Sequence, residues 1–92
     1  MEKFKFNKKT DELFMAIISL KSVKEAEQFF RDLCTIDEIQ EMSERWQIAR
    51  LVNKGLPYRE IAAKLAGSTT TVARVALWLY NGAGGYALIL NR

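Results

Sequence analysis

The stretch from Tyr58 to Leu79, YREIAAKLAGSTTTVARVALWL, constrains the fold more than any other part of the chain. Ile61, Ala62 and Leu65 fall on one side of a first short helix, over about 57–65. Val72, Val75, Ala76 and Leu79 recur at steps of three, one and three on a second, over about 69–80. Between them, Ala66, Gly67 and Ser68 form a turn, and Gly67 is free to take the positive φ that a tight turn needs. Two short helices joined this way read as a helix-turn-helix, spanning about 57–80. The small Ala62 lets the second helix cross the first closely. Such a unit can lay its second helix in the DNA major groove, so duplex DNA is the expected partner.

With Val72, Val75 and Leu79 facing inward, a 100° step per residue sets Thr70 and Arg74 nearly opposite. Ala73 and Leu77 flank that outer face. Ser68 or Thr69 caps the helix, and Thr69, Thr70 and Thr71 occupy its first turn, where base-edge and thymine-methyl contacts originate. Arg59 and Lys64, on the preceding helix, are candidate phosphate or guanine contacts. The candidate DNA-binding set is therefore Arg59, Lys64, Ser68, Thr69, Thr70, Thr71, Ala73 and Arg74.

Charge is distributed in the same sense. Residues 1–9 carry +3, residues 10–53 carry −4 (five basic, nine acidic), residues 54–80 carry +3, and Arg92 completes the net +3. The positive excess lies on the reading unit and on an exposed basic arm over 1–9, where it attracts phosphate; alternating Phe and Lys there make a short strand or a tethered tail.

Upstream, a first helix is expected to begin at Thr10, Asp11 and Glu12 and to run to about Leu20. Leu13, Phe14, Met15, Ala16, Ile17, Ile18 and Leu20 surround it almost completely, and a helix apolar on all sides must be covered on all sides. One small protomer cannot do that, so a shared subunit core is expected. Ser22 and Glu25 have capping-box spacing, followed by the stripe Val23, Ala26, Phe29, Phe30, Leu33. Thr35 and Glu38 repeat the box. The third helix runs to about Asn53 and stops at Gly55, with Ile39, Met42, Trp46, Ala49 and Val52 in its stripe and Ile48 and Leu51 beside it. Pro57 is expected in the first turn of the next helix. After Asn81, three glycines in four residues make a turn, and Tyr86 to Leu90 follow as a short helix or an extended segment. The expectation is one all-α domain over 1–92, with five or six helices.

Composition excludes several classes. At 49% hydrophobic and 27% charged, the chain is globular rather than disordered. Its longest apolar run, Leu13 to Ile18, is far too short to span a bilayer, so no membrane association is expected. The lone Cys34 suits a reducing compartment, and a cytoplasmic protein is expected. With no histidine, no imidazole partner for Cys34, no phosphate-loop pattern and no metal-ligand set, neither catalysis nor a cofactor is expected. A helical protein-interaction or assembly module, using the same stripes without DNA readout, is the rival reading.

From Thr35 onward the chain resembles the Trp-repressor superfamily, and within it the YerC/YecD group of Trp-repressor-related bacterial proteins. The residues that carry the resemblance are TIDEI (Thr35 to Ile39), Glu44, Arg45, ARL (Ala49 to Leu51), Gly55, YREIA (Tyr58 to Ala62), Ser68, Thr69, Thr71, Val72, Arg74 and Val75. Tyr80 to Gly82, Gly85 and Tyr86 match as well, so that about 55 residues are covered. The resemblance implies an intertwined all-α homodimer, a transcriptional repressor whose two heads enter successive major grooves roughly 34 Å apart. It also implies that the positions contacting the L-tryptophan corepressor fall on Thr35, Arg45 and Arg74, whose residue types are kept. Two others are not kept: a glycine becomes Val75 and a serine becomes Trp78. An added isopropyl and an added indole crowd the corepressor's place, so L-tryptophan binding is not expected.

Overall fold

The computed structural model describes residues 4–65 and 67–92. Over these residues the chain is all-α, with six helices and no strand: α1 (Lys8–Ile18), α2 (Val23–Leu33), α3 (Ile36–Asn53), α4 (Tyr58–Lys64), α5 (Thr69–Asn81) and α6 (Gly85–Leu90). They fall into two compact units, one reaching Ile39 and the other starting at Gln40.

Local hydrogen bonds define the helices of the amino-terminal unit. Asn7 is extended, and its side chain accepts the Thr10 N–H at 3.0 Å while Thr10 Oγ1 accepts the Asn7 N–H at 2.9 Å. This reciprocal cap starts α1 at Lys8, two residues before the start expected from sequence, and α1 ends at Ile18 rather than at Leu20. Lys8 and Lys9 are thus helical, and the basic arm is shorter than the expected 1–9; residues 1–3 lie outside the described residues. Phe6 packs on Phe14 with ring centroids 5.9 Å apart, and Phe4 meets Phe6 edge-on at 5.0 Å. At α2, Ser22 Oγ accepts the Glu25 N–H, and the Glu25 carboxylate reaches back to the Lys21 N–H at 3.0 Å, one residue beyond the cap itself.

Thr35 and Glu38 close the second box as expected, with Thr35 N–H donating to the Glu38 carboxylate at 2.8 Å and Glu38 N–H to Thr35 Oγ1 at 3.1 Å. The Thr35 backbone N–H, and after it the Thr35 side chain, hold the Glu38 carboxyl below the ordinary carboxylate range. A carboxylate lowered on folding contributes stability above its unfolded pKa and loses that contribution as pH falls through the lowered value. The box is therefore at full strength at neutral pH.

No residue of α1 or α2 is buried. Met15, Ile18 and Val23 are 66%, 82% and 77% exposed. Of the apolar residues that surround the first helix in sequence, Phe14, Met15 and Ile18 are exposed in the single chain and Leu13, Ala16, Ile17 and Leu20 half-buried.

The carboxy-terminal unit holds the buried core. Ile48, Ala49 and Val52 of α3 pack with Ile61 and Ala62 of α4 and with Val72, Val75, Ala76 and Leu79 of α5. No polar group is buried among the described residues. Of the expected α3 stripe, only the last two turns are sealed, since Met42 is exposed and Trp46 half-buried. The tail settles as a helix, and Tyr86 of α6 stacks on Trp46 at 6.2 Å between centroids. No helix among the described residues is long and apolar enough to cross a membrane.

Glycine sets the end of α3. Gly55 has φ +86°; its N–H donates to Val52 C=O at 2.9 Å, and the Leu56 N–H donates to Leu51 C=O at 3.3 Å. These two bonds make a Schellman motif, which needs a left-handed residue at that position. Positive φ occurs at Gly55 and Gly84 and not at Gly67, whose added Cβ would meet only Glu44 Oε1, at 3.2 Å. Ala66, the other expected turn residue, lies outside the described residues. Pro57 is the N-cap of α4 rather than a member of its first turn. In urea unfolding, Gly55→Ala should cost about 1–2 kcal/mol, the left-handed penalty of a Cβ. Gly67→Ala should stay within about 1 kcal/mol of the parent, because only a mobile carboxylate has to give.

Candidate nucleic-acid interface

The reading unit is built from α4 and α5. Pro57, with φ −61° and ψ 142°, leads into α4, and its C=O accepts the Ile61 N–H at 3.1 Å. The α4 end is closed by Gly67 N–H donating to Ala62 C=O at 3.1 Å. Ser68 is extended and caps α5, its Oγ accepting the Thr71 N–H at 3.1 Å and lying 3.1 Å from Thr71 Oγ1. The capping geometry chooses Ser68 over Thr69.

Burial then divides α5 into two faces. Val72, Val75, Ala76 and Leu79 are sealed against α3 and α4, and Thr69, Thr70, Thr71, Ala73, Arg74 and Leu77 are exposed. Arg59 and Lys64 of α4 are exposed too, as is Ser68. All eight candidate DNA contacts therefore lie on the surface of one unit. Among the described residues, Arg59, Lys64 and Arg74 form no ion pair, and the hydroxyls of Thr69 and Thr70 make no hydrogen bond. Thr71 differs, since its hydroxyl lies against the Ser68 cap.

Beside the exposed face, α3 and α5 enclose a cleft lined by Glu41, Glu44, Arg45, Ile48, Thr71, Arg74, Val75 and Trp78. Its volume is about 110 Å³. Small-molecule pockets are typically about 300–1,000 Å³, so this one has room for little more than solvent. Arg45 donates to Glu41 at 2.7 Å, and its guanidinium carbon lies 5.7 Å from the Trp78 ring centroid. That is within cation–π range. Arg45 and Arg74 thus line one cleft, together with Val75 and Trp78. Thr35 belongs to the amino-terminal unit, where its hydroxyl accepts the Glu38 N–H. Sequence reasoning missed Glu41 and Glu44. The four-residue step from Glu41 to Arg45, a favourable helical ion-pair spacing, was the available signal for the first.

An all-α chain whose two short helices meet at a capped turn and expose the second helix's polar side is a helix-turn-helix protein. Its family is shown by comparison with known proteins: the chain belongs to the Trp repressor protein family, whose sequence model matches residues 8–92. A relative from Bacillus subtilis (strain 168), named uncharacterized protein YerC, is 41% identical over 85 residues, which are 92% of this chain and 82% of the relative. A crystal structure of a TrpR-like protein from Eubacterium eligens ATCC 27750 superposes with a TM-score of 0.89 at 40% identity, covering 94% of this chain and 89% of that one. A second, from Staphylococcus aureus, gives 0.88 at 41% identity, with 95% and 87% covered. Both the family and the all-α fold expected from sequence are borne out.

The strap of Glu41, Arg45 and Trp78 can be apportioned by mutation. Its ion pair is well exposed, at 42% and 62% for the two side chains, and exposed pairs contribute about 0–1 kcal/mol. Glu41→Gln should therefore shift unfolding by less than about 0.5 kcal/mol. Trp78→Ala removes a half-buried indole from the edge of the core and should cost about 1–3 kcal/mol, below the range for a fully buried ring. Thermal or urea unfolding of the two variants checks the order.

Proposed function

We propose that this protein is a transcriptional regulator, a repressor, that binds duplex DNA sequence-specifically as a homodimer in the cytoplasm, and that it works without L-tryptophan and without catalysis. The observation that carries the reading is the two-sided character of α5. Its inner face is fully sealed, and its outer face presents Thr69, Thr70, Ala73 and an unpaired Arg74 on an exposed strip. A rigidly seated helix with a polar, cationic outer strip suits the major groove. Membership of the Trp repressor protein family supports the same conclusion. Residues 1–92 act in this reading as one domain, with Arg59, Lys64 and Ser68 near the phosphates.

Dimerisation is supported by the unburied α1 and α2, where Phe14, Met15, Ile18 and Val23 expose apolar surface. A second copy that interleaves there supplies the missing cover. Independence from L-tryptophan is supported by the small cleft, which is lined by Val75, Trp78 and Arg45, the last lying over the Trp78 ring. The retained Arg45 is engaged with Glu41 and Trp78, and Thr35 with its helix cap.

Two measurements test this reading. Duplex binding followed by fluorescence anisotropy should weaken steeply with salt, and Arg74→Ala should lower affinity at least tenfold while sedimentation shows an unchanged dimer. Salt-insensitive or absent binding would favour an assembly module instead. Calorimetric titration with millimolar L-tryptophan should give no saturable heat, whereas a clear isotherm would overturn corepressor independence.

A further inference from the structure

We infer that the reading helix recognises thymine chiefly through the 5-methyl group, so that the preferred half-site is a short thymine-containing run beside one guanine. This rests on the DNA-binding reading above and specifies its substrate. A 100° step per residue puts Thr70, Ala73, Arg74 and Leu77 on one line along the outer face of α5, opposite the buried Val72, Val75 and Leu79. From Thr70 to Leu77 that line is about 10 Å long at 1.5 Å per residue. It therefore faces about three base pairs at 3.4 Å each.

The chemistry along this line is narrow. α5 contains no Gln, Asp or Glu, and its one Asn is its last residue, Asn81. An amide that grips adenine in a fork, or a carboxylate that accepts from the cytosine amino group, is thus missing from the two turns that would enter the groove. What the line offers is the Thr70 methyl, the Ala73 methyl, the Leu77 isobutyl group and a single guanidinium. Leu77 is 53% exposed, although nothing about the fold requires leucine on a solvent face. Methyl and isobutyl groups meet the thymine methyl favourably, and a guanidinium grips guanine O6 and N7. Arg74 has no carboxylate partner among the described residues, so its fork is available to a base.

The test uses the full chain and a duplex selected by it from a random library. Thymines of the half-site are replaced one at a time by deoxyuridine, which deletes only the methyl group. Affinity should fall about fourfold at each contacted position, the transfer value of one buried carbon. In the protein, Thr70→Val keeps the methyl and loses the hydroxyl, and Thr70→Ser does the reverse; the site is exposed, and circular dichroism checks folding. Thr70→Val should retain the thymine-over-uracil preference at its position, and Thr70→Ser should lose it. Equal affinity for thymine and uracil at every position, or loss on Thr70→Val with retention on Thr70→Ser, would overturn methyl reading while leaving DNA binding intact. Failure to select any duplex would overturn both.

Discussion

The close contact between α5 and the pair α3 and α4 is the constraint on which the rest depends. Nine apolar side chains make that contact, three of them alanines: Ala49, Ala62 and Ala76, one from each helix. Alanine at a crossing lets backbones approach, and the larger Ile48, Ile61, Val72 and Val75 are sealed from solvent. Because no polar group is buried there, nothing in the core competes with apolar packing. The azimuth of α5 follows from this. Once Val72, Val75 and Leu79 point inward, the place of Thr70 and Arg74 is determined by helix geometry alone.

The amino-terminal unit obeys a different logic. Asn7 with Thr10, Ser22 with Glu25, and Thr35 with Glu38 specify where each helix begins, all through bonds spanning three residues or so. Such caps contribute about 1 kcal/mol each. They decide boundaries but do not bury α1 or α2, neither of which has a buried residue. Short helices of eleven residues are marginal in water without tertiary cover. The local signals are strong and the tertiary support within the chain is slight, which is the pattern of a segment whose core is completed by another chain. The proposed homodimer meets that requirement.

Legibility from sequence follows the range of the interactions. The helix-turn-helix could be read because its inner face repeats at three- and four-residue steps, and that repeat is the same whether or not the fold is known. The boxes at Ser22 and Thr35 were readable because both partners lie within one turn. The cap at Asn7 is equally local, but it follows the alternating Phe4, Lys5, Phe6 pattern, which has the period of an extended arm rather than of a helix. Glycine in a turn leaves positive φ open without requiring it, and among the described glycines the left-handed ones are Gly55 and Gly84. Glu41 and Glu44 were not found, since their place in the cleft depends on α5 lying beside α3, a relation that no short spacing encodes.

The cleft also bears on how such a regulator is controlled. A head that needs a small molecule to hold its angle must leave a space for it, and must be less well seated when the space is empty. Here the cleft between α3 and α5 is small and lined by the chain's own groups, with the Arg45 guanidinium over the Trp78 ring. Those groups are tethered, so their contact beside α5 costs no translational entropy and does not depend on any ligand concentration. On the proposed reading, the reading helix is then held ready at all times. Regulation through this cleft would have to displace Trp78 first, and the displacement penalty would be subtracted from the affinity of any effector. On the same proposed reading, control would fall to the amount of protein and to pairing through the amino-terminal helices, where Phe14, Met15, Ile18 and Val23 are exposed in the single chain.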